Sequence, residues 1–176
     1  GVVNRSGQLV LETGRGKRDT PPVRAVLQRV SKAEVRVDGE TVGAIGRGVV
    51  VLLGVFSGDT DADAAALADK TAKLRIFPSD HRPIDRSVVD VAGSALVVSQ
   101  FTLCADTRKG NRPSFVAAAP PEEAERLYGV YCARLRAAGV AALRPMQWQN
   151  YLDFMVADRM HASVVADGLR NARRLV

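Results

Sequence analysis

The chain changes character abruptly at the residues best suited to chemistry. Ala95-Leu96-Val97-Val98 is apolar and β-branched, as a buried strand requires. It runs into Ser99-Gln100-Phe101-Thr102-Leu103, which brings polar side chains where core should continue. Ser99 and Gln100 form a polar pair at the end of a core strand. Taken alone, such a pair at a strand end reads as a satisfied edge. Just beyond lies Arg108-Lys109-Gly110-Asn111-Arg112, followed by Phe115. Three cations and a ring suit phosphates and stacking, with an ordinary solvated loop as the plain alternative. The two histidines, His81 and His161, sit in no ligand-like spacing, and Cys104 and Cys132 lack the partners a metal site needs. No metal or organic cofactor is expected, and both cysteines read as plain thiols of a reducing cytoplasm.

The elements that must position these residues follow from composition and period. With 176 residues, 47% hydrophobic and 25% charged, the chain describes one globular domain with a real core. No apolar run approaches the roughly 18 residues of a membrane span. The formal charge of +6 favours a polyanionic partner, nucleic acid above all, against the simpler reading of an arginine-heavy composition. Residues 1–22, rich in Gly, Arg and Thr and closed by Pro21-Pro22, read as a disordered leader or an over-extended start. The domain proper is expected over 23–176, with 140–176 atypical.

From Val23 onward the pattern is of strands. Val26 to Val30 alternates, Ala33–Val37 and Thr41–Ile45 flank an Asp38-Gly39 hairpin turn, and Val49–Phe56 is a fully buried central strand. Asp59 or Thr60 caps a helix whose inner face is Ala64, Leu67, Ala68, Thr71 and Leu74. Ser87–Val91 and Ala95–Leu103 are expected to be two more strands. Pro120-Pro121-Glu122-Glu123 opens a second helix, with Ala124, Leu127, Tyr128, Tyr131, Leu135 and Ala138 inward and Gly139 as its C-terminal cap. After Gly139 the periods mix. Trp148, Leu152 and Met155 suggest a helix, and Met160, Ala162 and Val164 a strand. The predicted class is α/β, a single domain with a mixed or antiparallel sheet and two to three helices.

The string Ser99-Gln100-Phe101-Thr102-Leu103 resembles the SQ-x-T signature of the D-aminoacyl-tRNA deacylases. The likeness extends through Arg24–Val55, Arg75–Asp80, Ala95–Phe115 and Glu122–Tyr128, in that order, so it spans about Val23 to Gly139. The resemblance implies a homodimer whose sheets are barrel-like across the pair. It implies a tRNA partner and hydrolysis of the ester joining a D-amino acid to tRNA, or glycine mischarged on tRNA-Ala. This is a chiral proofreading step of the cytoplasm. It places Ser99, Gln100, Phe101 and Thr102 around the 3′-terminal adenosine, with N–H groups near Phe101 and Thr102 stabilising the oxyanion. Thr102 is then either a nucleophile, though no His or Lys adjoins it in sequence, or a bystander to water assisted by the ribose 2′-hydroxyl. Arg29 would prop the partner's proofreading loop. Arg108, Lys109 and Arg112 would meet phosphates, and Phe115 would pack or stack.

The chain departs from the family's second signature, Asn-x-Gly-Pro, whose carbonyls reject L-amino acids in the other subunit's pocket. The nearest fit carries Ala166 for Asn and Leu169 for Pro around Asp167-Gly168. A cis bond before a non-proline residue costs about 2.5–4 kcal/mol, against about 0.5–1 before proline. Gly168–Leu169 is therefore expected to be trans and chiral discrimination to be weakened, whether the tail is frame-slipped or a rebuilt loop. The rival readings are a non-catalytic tRNA- or RNA-binding relative and a small-molecule carboxyl-ester hydrolase.

Overall fold

In the computed structural model, residues 2–3, 8–12, 23–37, 39–108, 111–144 and 162–168 are described, and for Val2, Val3, Gln8 and 162–168 the backbone alone. Among them are eight strands in one sheet: β1 (Val2–Val3), β2 (Gln8–Glu12), β3 (Arg24–Val37), β4 (Glu40–Ile45), β5 (Gly48–Gly54), β6 (Ser94–Ser99), β7 (Ala141–Leu143) and β8 (Ala162–Gly168). Helices α1 (Asp61–Lys73) and α2 (Pro121–Ala137) complete the α/β domain. The sheet is mixed: β5–β6 and β6–β7 are parallel, and the other pairs are antiparallel.

The long strand β3 organises the sheet. On one side its first half pairs with β5 and its second half with β4, the two being joined through Gly46 and Arg47. On the other side β2 pairs along Arg24–Gln28 and β8 along Val30–Val37. Both run antiparallel to β3, so they point the same way and lie end to end in one lane, Gly168 across from Val30 and Gln8 across from Gln28.

β5 and β6 are apolar on both faces: one lies under the helices and the other forms a smaller cluster with β3 and β4. Val49, Val51 and Leu53, with Ala95 and Val97, face a core completed by Leu67, Phe77, Leu127, Tyr131 and Leu135. Val50 and Leu96 join Val30, Ala33, Val35 and Ile45 in a second cluster, against which Leu52 and Val98 pack half-buried. The helices are anchored by satisfied polar groups. Thr60 caps α1 in a capping box with Asp63. The buried Tyr131 hydroxyl donates to Thr71 Oγ1 at 2.8 Å, and the Tyr128 hydroxyl to the Val97 carbonyl at 2.7 Å. Gly139, at φ 87°, lets the chain leave α2 in a left-handed step that a side chain would strain.

Several sequence expectations change. Residues 8–12, read as part of an irregular leader, form β2, and its Leu9 and Leu11 are buried in the main core. Their alternation is genuine but only five residues long, and tertiary pairing decides it. Ala33–Val37 does not begin a new strand but continues β3 without a break. Ser87–Val91 is a turn, held by the Asp90 carboxylate accepting from the Ser87 N–H and hydroxyl at 2.8 Å each. The strand expected over Ala95–Leu103 stops at Ser99. Trp148, Leu152, Met155 and Met160 lie outside the described residues.

Candidate active site

Strand β6 ends at Ser99, where its pairing with β5 stops one residue short of Gly54. Ser99 pairs with Leu53, and the Gln100 N–H donates to the Leu53 carbonyl at 2.7 Å. From there Phe101–Cys104 winds into a single turn of 3-10 helix. That turn sits directly on Gly54. A Cβ at position 54 would lie 2.9 Å from Leu103 Cβ and 3.3 Å from both Cys104 Sγ and the Gln100 carbonyl oxygen. The glycine thus permits a close backbone approach that no other residue allows. The Leu103 N–H donates to the Gln100 carbonyl and the Ala105 N–H to the Thr102 carbonyl, each at 3.2 Å. Among the described residues, the N–H groups of Phe101 and Thr102 have no such acceptor. They are the orphan donors that open any helix. Two adjacent free N–H groups at a strand end are suited to stabilise negative charge building on a carbonyl oxygen.

Among the described residues of the turn, Ser99, Gln100 and Thr102 bring polar side chains, none of which is a base. Gln100 Nε2 donates to Thr102 Oγ1. Thr102 is exposed, and Ser99, Gln100 and Phe101 are half-buried. Beneath the turn, Cys104 is buried with its Sγ donating to the Val55 carbonyl at 3.2 Å. Burial, with the carboxylate of Asp59 nearby, pushes this thiol up to about 11. It is therefore a packing residue and an inert one.

The basic loop is tied to the turn at one end and to itself at the other. Asp106 and Ser114 exchange backbone hydrogen bonds of 2.8 and 2.9 Å, pinching off the residues between them. The Phe101 and Phe115 rings meet at 5.1 Å between centroids, tilted by 54°. Arg108 folds back on Asp106 with Nε at 2.9 Å and Nη2 at 2.7 Å, which raises the guanidinium pKa. Arg112 is exposed. Lys109 lies outside the described residues. Arg29 is placed elsewhere: it pairs with Val49, four rungs along β5 from the Leu53 that pairs with Ser99. Its Nη1 donates to the Ile76 carbonyl, and burial together with the nearby Arg47 lowers its pKa. The next residue, Val30, is the register partner of Gly168, so Arg29 and the end of β8 occupy adjoining positions. Leu169 lies outside the described residues.

The model of the family described as D-Tyr-tRNA(Tyr) deacylase matches residues 26–168. The chain belongs to that family. Proteins named D-aminoacyl-tRNA deacylase accompany this match. The one from Roseiflexus castenholzii is 57% identical over 119 residues, 68% of this chain and 76% of that protein. The one from Desulforudis audaxviator is 48% identical over 145 residues, 82% of this chain and 97% of that protein. Among solved structures, the c-Myc DNA Unwinding Element Binding Protein superposes with a TM-score of 0.66 at 33% identity, covering 81% of this chain and 90% of its own. A probable eukaryotic D-amino acid tRNA deacylase shares the fold, with a TM-score of 0.57 at 23% identity over 66% of this chain and 68% of its own.

Within this deacylase-family chain the structure brings Ser99, Gln100, Phe101, Thr102 and Phe115 together. It keeps Arg29 and Gly168 at a separate point. Two residues that touch the turn escaped the sequence reading. Gly54 carried a signal, since a glycine inside an apolar strand marks a bulge or a close approach. Arg24 carried none. It opens β3 and reaches the turn only because the ladder sets it across from Gly54.

Proposed function

We propose that the chain hydrolyses the ester joining a D-amino acid, or glycine, to the 3′-terminal ribose of tRNA, at the Gln100–Cys104 turn. The observation that carries the reading is the pair of unengaged N–H groups at Phe101 and Thr102, on a turn seated against Gly54. The family membership of residues 26–168 supports it. The ester carbonyl lies against the two N–H groups, and water attacks it. The carbonyl oxygen gains charge as the tetrahedral intermediate forms, and the preformed donors meet it without reorganising. Among the described residues the turn offers no general base, so the ribose 2′-hydroxyl assists the water and the protein orients and polarises. Phe101 and Phe115 supply a ring surface beside the turn for the terminal adenine. Arg112 and Lys109 meet phosphates, and the formal charge of +6 supports this.

The active form is a homodimer working in the cytoplasm, where tRNA is charged. The half-buried Leu52 and Val98 support pairing through the second cluster's face of the sheet. Arg29 and Gly168, at neighbouring rungs of β3, contribute to the partner's pocket together with Leu169. With Leu169 in the place of proline, that contribution rejects L-amino acids less well.

The test is deacylation of D- and L-tyrosyl-tRNA by the purified chain. Hydrolysis of the D-ester is expected, with a D-over-L preference below that of the D. audaxviator relative. A D-ester rate no faster than buffer overturns the enzyme reading. A preference equal to the relative's overturns the weakened selectivity.

A further inference from the structure

We infer that Arg24 is a positioning residue for this site, acting through the backbone of the Gln100–Cys104 turn, and that Glu12 of β2 sets its guanidinium. The inference rests on the reading of that turn as the ester-binding site. It goes beyond the family's matched stretch, which starts at residue 26 and includes neither residue.

Three segments converge on the Arg24 side chain. Its Nη1 donates to the Leu103 carbonyl at 2.9 Å. Its Nε donates to Glu12 Oε1 at 2.8 Å. Its guanidinium lies over the Phe56 ring, 5.4 Å from the centroid. A planar fork held at two corners and across its face has little freedom left. Among the described residues, no backbone N–H takes the Leu103 carbonyl, so Arg24 supplies the partner that the end of the turn requires.

The carbonyl it holds belongs to the turn that carries the free N–H groups. Peptide planes are rigid, and only two soft angles separate each plane from the next. Holding the Leu103 carbonyl, in a turn already closed by the Leu103 N–H to Gln100 bond, therefore narrows how the Phe101 and Thr102 N–H groups can be aimed. Gly54, the register partner of Arg24, supports the same turn from below. One rung of the β3–β5 ladder thus holds the turn from two sides. Small misalignments of such donors are costly to catalysis.

The experiment compares the full-length chain with Arg24→Met, Arg24→Lys and Glu12→Gln. It measures kcat and KM for D-tyrosyl-tRNA, and amide hydrogen exchange at Leu103 and Ala105, whose N–H groups close the turn. Arg24→Met is expected to lower kcat about 10- to 100-fold with KM within about twofold. It should speed exchange at Leu103 and Ala105 about 10-fold, while Val97 in β6 is unchanged. Arg24→Lys should recover part of the loss, since one ammonium nitrogen can meet the Leu103 carbonyl but cannot hold Leu103 and Glu12 at two corners as the planar fork does. Glu12→Gln should lower kcat about two- to fivefold and have no further effect when added to Arg24→Met. A kcat for Arg24→Met within about twofold of the parent, or a loss confined to KM, overturns the inference. So does unchanged exchange at Leu103 and Ala105. If the parent chain itself fails to cleave D-tyrosyl-tRNA, the ester-site reading falls, and the exchange rates still decide whether Arg24 holds the turn.

Discussion

The carboxamide of Gln100 donates a hydrogen bond to the hydroxyl of Thr102. An amide takes up no proton near neutral pH, so this contact orients the hydroxyl and does not activate it. Thr102→Ala is therefore expected to lower kcat about 10- to 100-fold, well short of the roughly 10⁴-fold or greater loss that follows removal of a nucleophile. A tRNA ending in 2′-deoxyadenosine should lose more than Thr102→Ala does. Single-turnover deacylation measures both. A Thr102→Ala loss reaching the nucleophile range would reinstate covalent catalysis.

Gly54→Ala tests the seat of the turn. The added methyl would stand 2.9 Å from Leu103 Cβ and 3.3 Å from Cys104 Sγ. Overpacking of this kind costs about 1–3 kcal/mol. Thermal melting should show that modest loss, while kcat falls more than about tenfold because the donors move. Parent-like kcat in a folded variant would mean that the turn tolerates displacement.

The buried thiols set an alkaline limit. Burial pushes Cys132 up to about 11 from 9.0, and burial with Asp59 does the same to Cys104. Unfolding lets both ionise at their ordinary value, so above it the unfolded chain binds fewer protons than the folded one. Stability is thus full below about pH 9 and declines as pH rises towards about 11. Urea midpoints at about pH 8 and about pH 10.5 should differ more in the parent than in Cys104→Ala/Cys132→Ala. Equal slopes would remove the thiols from the account.

The ion pair inside the basic loop offers a gain of function. Arg108 is committed to Asp106 through two side-chain contacts of 2.9 and 2.7 Å. Asp106→Asn should loosen Arg108, tighten tRNA binding and steepen its salt dependence by roughly one counterion. Arg112→Ala should weaken binding in the opposite sense. Filter binding across a salt series checks both. Unchanged slopes would mark the loop as a solvated one.

What was legible in the sequence was what is local. The Thr60 cap, the inward stripe Leu67–Thr71, the α2 face through Tyr131 and Leu135, and the apolar β5 and β6 are all read from period and caps, because burial follows them directly. The SQFT string reads as a candidate site through its resemblance, and its turn was not legible. Phe101 and Leu103 continue the strand's alternation, and only the loss of a β5 partner beyond Gly54 stops the pairing. Arg24 and Glu12 stayed silent because their roles depend on register between distant segments. Leu9 and Leu11 stayed silent because glycine, arginine and proline surround them.

That two strands share one lane beside β3 bears on how the protein is handled. β2 caps a stretch of main chain whose amides and carbonyls would otherwise face water, and it roofs Ala25 and Leu27 with Leu9 and Leu11. Trimming the chain back to Val23 would leave a bare, adhesive rim of five residues, the sort of margin on which molecules zip to one another and come out of solution. Gln8–Glu12 behave less as a trailing ribbon than as a hem.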